Sequence, residues 1–227
     1  MKSSYVFLFS IIVSNFLKYE PDGSKRITMS DYTAIADVGE TLIDFLREHM
    51  EDLIAPDSII LFSPGELEDN DDVRLSLFLF QVHENVHLKN QEMQVIDPNT
   101  TQYPPLNLDL YYLLTSYPSS GIQDKTERTK EEHSILGRAM QVIYDNAILS
   151  GSVLRGGLAE NNEEIHITQF PLSLDDMTKI WTTFQDKPFR PSICYIVTPA
   201  RIESTRKRET QRVVERNLTH HVPGVGR

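Results

Sequence analysis

The chain has 227 residues, 33 acidic against 22 basic side chains, a formal net charge of -11 and a 40% hydrophobic share. That length suits one sizeable core with at most a small appendage, and that composition excludes a disordered or fibrous chain. The acidity argues against a nucleic-acid binder, whose surface must neutralise phosphates, and one cysteine, Cys194, excludes an intrachain disulfide framework.

Residues 1–28 differ in character from the rest. Tyr5 to Leu17 is an apolar run, shorter than the roughly 18 to 20 residues that span a bilayer, and no small-x-small cleavage pattern follows it. We read 1–28 as a leader outside the folded domain, with Met29 the expected start; a membrane tether through 1–28 is the competing reading. From Ser30, a candidate N-cap, the residues Ile35, Val38, Leu42, Phe45, Leu46 and Leu53 mark one helical face that Pro56 ends. Ser58 to Phe62 predicts a short strand. Pro64-Gly65 and the acidic run Glu66, Glu68, Asp69, Asp71 and Asp72 predict a solvated loop. Val73 to Val82 is the strongest strand, with Val73, Leu75, Leu77 and Leu79 on one face and Phe78, Phe80 and Val82 on the other. Its second half is expected to be central and covered on both sides. A further strand is predicted within 86–96 and a loop over 98–105.

Leu106 to Leu114 alternates, so Leu106, Leu108, Leu110, Tyr112 and Leu114 face a core. The opposite face, Asn107, Asp109, Tyr111 and Leu113, is half polar and needs a cover of its own. An amphipathic helix is predicted from Glu131 to about Leu149, opened by Thr129 and Glu132 as reciprocal caps and stopped by Gly151. Its buried stripe reads Leu136, Met140, Ile143, Tyr144 and Ala147. After a glycine-rich stretch, Glu163 to Phe170 predicts a strand with Ile165 and Ile167 inward. Ser173 with Asp176 caps a helix whose stripe is Leu174, Met177, Ile180, Trp181 and Phe184. Ser192 to Thr198 is a last core strand. Beyond Pro199, Arg201, Arg206, Lys207, Arg208, Arg212 and Arg216 form a basic arm, in which Val213, Val214 and Leu218 predict an edge strand. The sum is an α/β (α+β) domain over 29–202, a single mixed β-sheet with helices packed on it, and an arm over 203–227.

The one literal metal motif is His83-Glu84-Asn85-Val86-His87. On a helix, H-E-x-x-H puts both imidazoles on one face to bind zinc, with the glutamate free to activate water. Here it continues a strand, where the histidines stand about 13 Å apart at roughly 3.3 Å per residue. A zinc-dependent hydrolase using His83, Glu84 and His87 is therefore the weaker reading. Cys194 sits mid-strand as a buried thiol, and Arg155-Gly156-Gly157 lacks the phosphate-loop pattern. No cofactor, metal or catalytic constellation is expected.

Tyr103-Pro104-Pro105-Leu106, Leu108-Asp109-Leu110-Tyr111-Tyr112-Leu113-Leu114-Thr115, His133 with Leu136-Gly137-Arg138-Ala139-Met140, Leu154-Arg155-Gly156, Pro171 to Asp176, Trp181, Tyr195 and Val197-Thr198-Pro199 carry a resemblance. The chain resembles the tail-terminator or cap family of extracellular contractile injection systems, of the antifeeding-prophage and Photorhabdus virulence cassette type. The resemblance implies a phage-tail-terminator-like fold and a structural, non-enzymatic ring, expected to be homohexameric. Such a ring ends the inner tube and contractile sheath at the end remote from the baseplate. It implies synthesis in a prokaryotic cytoplasm, incorporation into a released or cell-associated particle, and tube and sheath proteins as partners. The expected contact residues are the acidic loop, Tyr111, Arg155 and the basic arm. Loop and arm are expected to meet across neighbouring subunits or to grip sheath and tube.

Overall fold

A computed structural model describes residues 32–68, 71–161 and 163–209. The leader 1–28, Met29, Ser30, Asp69, Arg212, Arg216 and the strand predicted around Val213 to Leu218 lie outside them. The described elements run α1 Ala34–Met50, β1 Ile59–Leu61, β2 Leu75–Glu84, β3 Gln94–Asp97, β4 Thr100–Gln102, β5 Leu106–Ser116, α2 Lys125–Asp145, β6 Ile148–Ser150, α3 Gly156–Glu160, β7 Glu164–Phe170, α4 Leu174–Trp181, β8 Ser192–Ile202 and β9 Lys207–Glu209.

The fold is a mixed sheet with helices, as the pattern of elements predicts. Six strands order as β1-β2-β5-β8-β7-β6, with β1 parallel to β2 and the remaining neighbours antiparallel. The expectation of one sheet needs correction, because β3, β4 and β9 form a second, three-stranded sheet. Thr100–Gln102 had read as loop, yet it pairs on one side with β3 as a short hairpin and on the other with Lys207–Glu209, more than a hundred residues away. No local pattern announces such a partner.

On the inner face of the large sheet, α1 and α2 cover Leu75, Leu77, Leu108, Leu110, Tyr112, Leu114, Ile165, Ile167, Tyr195 and Val197, all under 7% exposed. Burial of this apolar surface is the main stabilising term, at roughly 25 cal/mol per Å². Gly39 lets α1 approach β1 closely, since a Cβ there would lie 2.9 Å from a Leu61 methyl. The outer face has a smaller core: Leu113 packs with Met177, Trp181 and Phe184, and Phe78, Phe80 and Ile180 lean on it. On the half-polar face of β5, Leu113 therefore has a second helical cover.

Several local expectations shift. α2 opens at Asp124, whose side chain accepts from the Glu127 amide at 2.9 Å; Thr129 only bonds back to the Lys125 carbonyl. Its stripe is Ile135, Leu136, Ala139, Val142 and Ile143, whereas Tyr144 is 84% exposed. The spacing was read one residue late over the last turn, and Ile148–Ser150 peels off as edge strand β6. The second half of β2 is uncovered, contrary to expectation. Its register against β5 shifts between Leu79 and Gln81, and Gln81 to Glu84 are all exposed because neither core reaches them. Ser173 caps α4 as predicted, but Leu174 points to solvent.

Candidate assembly surfaces

The acidic loop begins as a single helical turn. Ser63 and Glu66 cap each other across it, with the Ser63 amide donating to Glu66 at 3.3 Å. Glu68 and Asp71 then close a small turn, the Glu68 amide donating to Asp71 at 2.8 Å. Glu66, Glu68, Asp71 and Asp72 are exposed, and the Lys187 ammonium donates to the Leu67 carbonyl at the base of the loop. Beside it Pro64, Leu67, Tyr117, Trp181, Lys187 and Arg190 line a small cavity of about 170 Å³. Arg190 there is tied to Glu132 at 2.7 Å and stands over the Tyr117 ring.

The basic arm sits at the other end of the sheet. β8 continues past Thr198 to Ile202, where Ile202 pairs Leu106, and Arg201 lies half-buried in that stretch. Arg206 lies over the Tyr103 ring at 4.1 Å, while Lys207 and Arg208 are exposed on β9. The acidic loop precedes Leu75 and the three-stranded sheet follows Glu84, so the ten residues of β2 separate them. At about 3.3 Å per residue that is on the order of 30 Å, too far for the loop and the arm's first strand to meet within one chain.

Tyr111 belongs to an open aromatic patch on the outer face. Its ring meets Phe170 at 5.2 Å, His83 at 5.3 Å and Phe80 at 6.2 Å, all edge-on. Burial, then the nearby Asp109 carboxylate, pushes the Tyr111 phenol up from its ordinary value. Phe170 remains 38% exposed because α4 stops short of this end of the sheet.

Arg155 has an internal role. Its guanidinium pairs with Asp44 of α1 at 2.9 Å and its amide donates to Thr41 at 3.0 Å. The next amide but one, Gly157, donates to the Asp37 carboxylate at 3.0 Å, so an α1 acid caps the start of α3. Gly156 has φ +54°, and a Cβ there would sit 2.4 Å from the Asp37 carboxyl carbon. Leu154-Arg155-Gly156 is thus a latch that locks residues 151–160 onto α1, with Leu154 and Leu158 buried beneath.

The H-E-x-x-H histidines do not share a helix. β2 runs through His83 and Glu84; Glu84 pairs with Lys89 at 2.8 Å, and the His83 ring bonds the Gln81 amide group at 2.8 Å. The residue that sequence reasoning missed is Asn85. Its side-chain oxygen accepts from the His87 and Leu88 amides at 3.0 Å each, and its amide group donates to Asp109 at 2.8 Å and to Thr198 at 3.2 Å. Thr198 in turn donates to Asp109 at 2.6 Å. This knot ties the end of β2 to the register shift between β5 and β8. An asparagine just past a strand, where its side chain can close a turn, was the available signal. Cys194 is buried, and burial pushes its thiol up to about 12. Among the described residues no three His, Cys, Asp or Glu side chains gather to hold a metal ion.

The model of the Pvc16 N-terminal domain matches residues 37–216. The chain belongs to that family. Two cryo-EM structures are similar in fold to this Pvc16 N-terminal domain. One is the sheath/tube terminator of an extracellular contractile injection system, PVC, in its extended state. It is 18% identical at TM-score 0.58, over 84% of this chain and 64% of that one. The other is the anti-feeding prophage cap, a tube terminating cap, 20% identical at TM-score 0.55, over 82% of this chain and 61% of that one. The chain therefore spans less than two thirds of the length of either. No curated protein matches it. Within the Pvc16 N-terminal domain, several residues that carried the resemblance are structural: Tyr112 fills the core, Asp109 and Thr198 belong to the Asn85 knot, and Arg155-Gly156 form the latch.

Proposed function

We propose that this chain is the structural cap of a phage-tail-like contractile injection particle, a ring that halts tube and sheath growth at the end remote from the baseplate. The family membership carries this reading, and the likeness of fold to a sheath/tube terminator and a tube terminating cap supports it. The physical character of the domain agrees. Its core is filled, its conspicuous polar clusters are latches and knots, and its opposite charges lie at opposite ends of one sheet. A cap of this kind needs no catalytic group. It needs a rigid body with unlike ends, because head-to-tail contacts between identical subunits close into rings. We infer a homohexamer with tube and sheath proteins as its partners, built from the domain over 29–202 and the arm over 203–227. Exposed charge pairs supply only 0 to about 1 kcal/mol each, so apolar contact must carry much of the assembly.

Electron microscopy of particles made with and without this chain tests the reading. Six-fold density at the baseplate-distal end, and tubes of uncontrolled length when the chain is missing, are expected. Particles of normal length with an unchanged distal end in its absence would overturn it.

A further inference from the structure

The second sheet has two edge strands, β9, which carries Lys207 and Arg208, and β3, which carries no lysine or arginine. The six-stranded sheet ends in β1 and β6, three residues each, and the Arg47 guanidinium already donates to the Ile59 carbonyl of β1 at 2.9 and 3.1 Å. β3 has four residues, pairs only with β4 among the described residues, and is exposed at every position. Val95 is 75% exposed, and Met93 and Ile96 also face solvent. A bare apolar edge is a template for a further strand, and proteins normally cover it or break it with lysine or proline. Residues 92–97 contain neither.

The chain carries a segment of matching chemistry. β9 lies antiparallel to β4, with Lys207 opposite Gln102 and Glu209 opposite Thr100. Its backbone therefore leaves Glu209 beside the β3–β4 turn, heading away from the six-stranded sheet. The next residues, Thr210-Gln211-Arg212-Val213-Val214-Glu215-Arg216, hold no glycine, proline, asparagine or aspartate to turn the chain back onto its own sheet. Glu92-Met93-Gln94-Val95-Ile96-Asp97 has an acid at each end, and Arg212 to Arg216 has a base at each end. Set antiparallel with Arg212 opposite Asp97, the two place Val213 on Ile96, Val214 on Val95, and Arg216 beside Glu92. Paired β-branched residues and opposite charges are the cross-strand combinations that stabilise a sheet.

We propose that residues 212–216 of one copy add as a fourth strand to the β3 edge of a second copy. Every subunit then donates a tail and offers an edge, a head-to-tail contact that adds backbone pairing and the Val213 and Val214 side chains to a ring interface. This deepens the cap reading and rests on it only for the ring's closure.

Cysteines at Val95→Cys and Val214→Cys in the full chain test the pairing, since native Cys194 is buried. Oxidation of the double variant is expected to give a ladder of disulfide-linked multimers, where either single variant gives dimers at most. Deleting 210–227 is expected to abolish the oligomer. A linked monomer, the absence of multimers, or linkage to a tube or sheath protein instead would overturn the proposal. Rings that persist without 210–227 overturn it and leave the cap reading standing. A ladder from a chain absent from particle ends supports strand addition and sinks the cap reading.

Discussion

The six-stranded sheet is rich in leucine and isoleucine, whereas Val95 and Ile96 are the apolar residues of the three-stranded one, and the two differ as much in cover as in composition. In the large sheet, Leu110, Leu113, Leu114, Ile165 and Val197 are fully or almost fully buried between helices on both faces. In the small one, Val95 and Ile96 meet no cover among the described residues, and a valine that would stabilise a core becomes free surface. The contrast teaches that strand propensity reports a pleated segment and leaves its cover undecided. The covered sheet holds the fold together; the open one is available for assembly.

Substitutions sharpen the contrast in order of size. Leu110→Ala, at a fully buried inner position, is expected to cost about 2–5 kcal/mol of stability in urea unfolding, from lost transfer energy plus a cavity. A cost below about 1 kcal/mol would mean that the inner face is not the packed core described. Gly156→Ala is expected to cost about 1–3 kcal/mol, because it strains a positive φ and drives a Cβ into Asp37. The part due to collision should shrink in an Asp37→Ala background, so a double-mutant cycle that shows simple additivity would contradict the latch.

The smallest effect is a pH dependence at the rim between β2 and α2. Burial pushes the Glu131 carboxyl up, but the Ser119 amide and the Arg74 guanidinium, 2.6 Å away, outweigh it and hold it below the ordinary 4.5. A lowered folded-state value means the pair's contribution is fully present above 4.5 and is lost as pH falls through the folded value. Glu131→Gln is therefore expected to flatten the stability profile below 4.5 while changing acid-independent packing little. An unchanged acid profile would remove this group from the account.

Much of the scaffold was legible from spacing alone. The alternation of Leu108, Leu110, Tyr112 and Leu114 marks a core face, because side chains on a strand alternate sides whatever lies around them. Ser173 before Asp176 marks a helix start because the cap bond spans only three residues. Such features are local, so the local sequence contains their cause. The extended form of His83-Glu84 was legible for the same reason.

Other features depended on residues far apart in the chain. Thr100–Gln102 gains its second strand neighbour only when Lys207–Glu209 lies beside it, and Asn85 acquires its distant partners only when β2, β5 and β8 converge. The Asp44 partner of Arg155 appears only when α1 is folded against it, since a sequence shows an arginine's charge but not which acid lies beside it. The sequence by itself determined most of the core strands and helices and the apolar faces of the strands, because those follow from side-chain spacing. Only the tertiary structure decided which apolar faces are covered, which charges are paired and which strand edge stays open, because each of those is set by a partner distant in the chain.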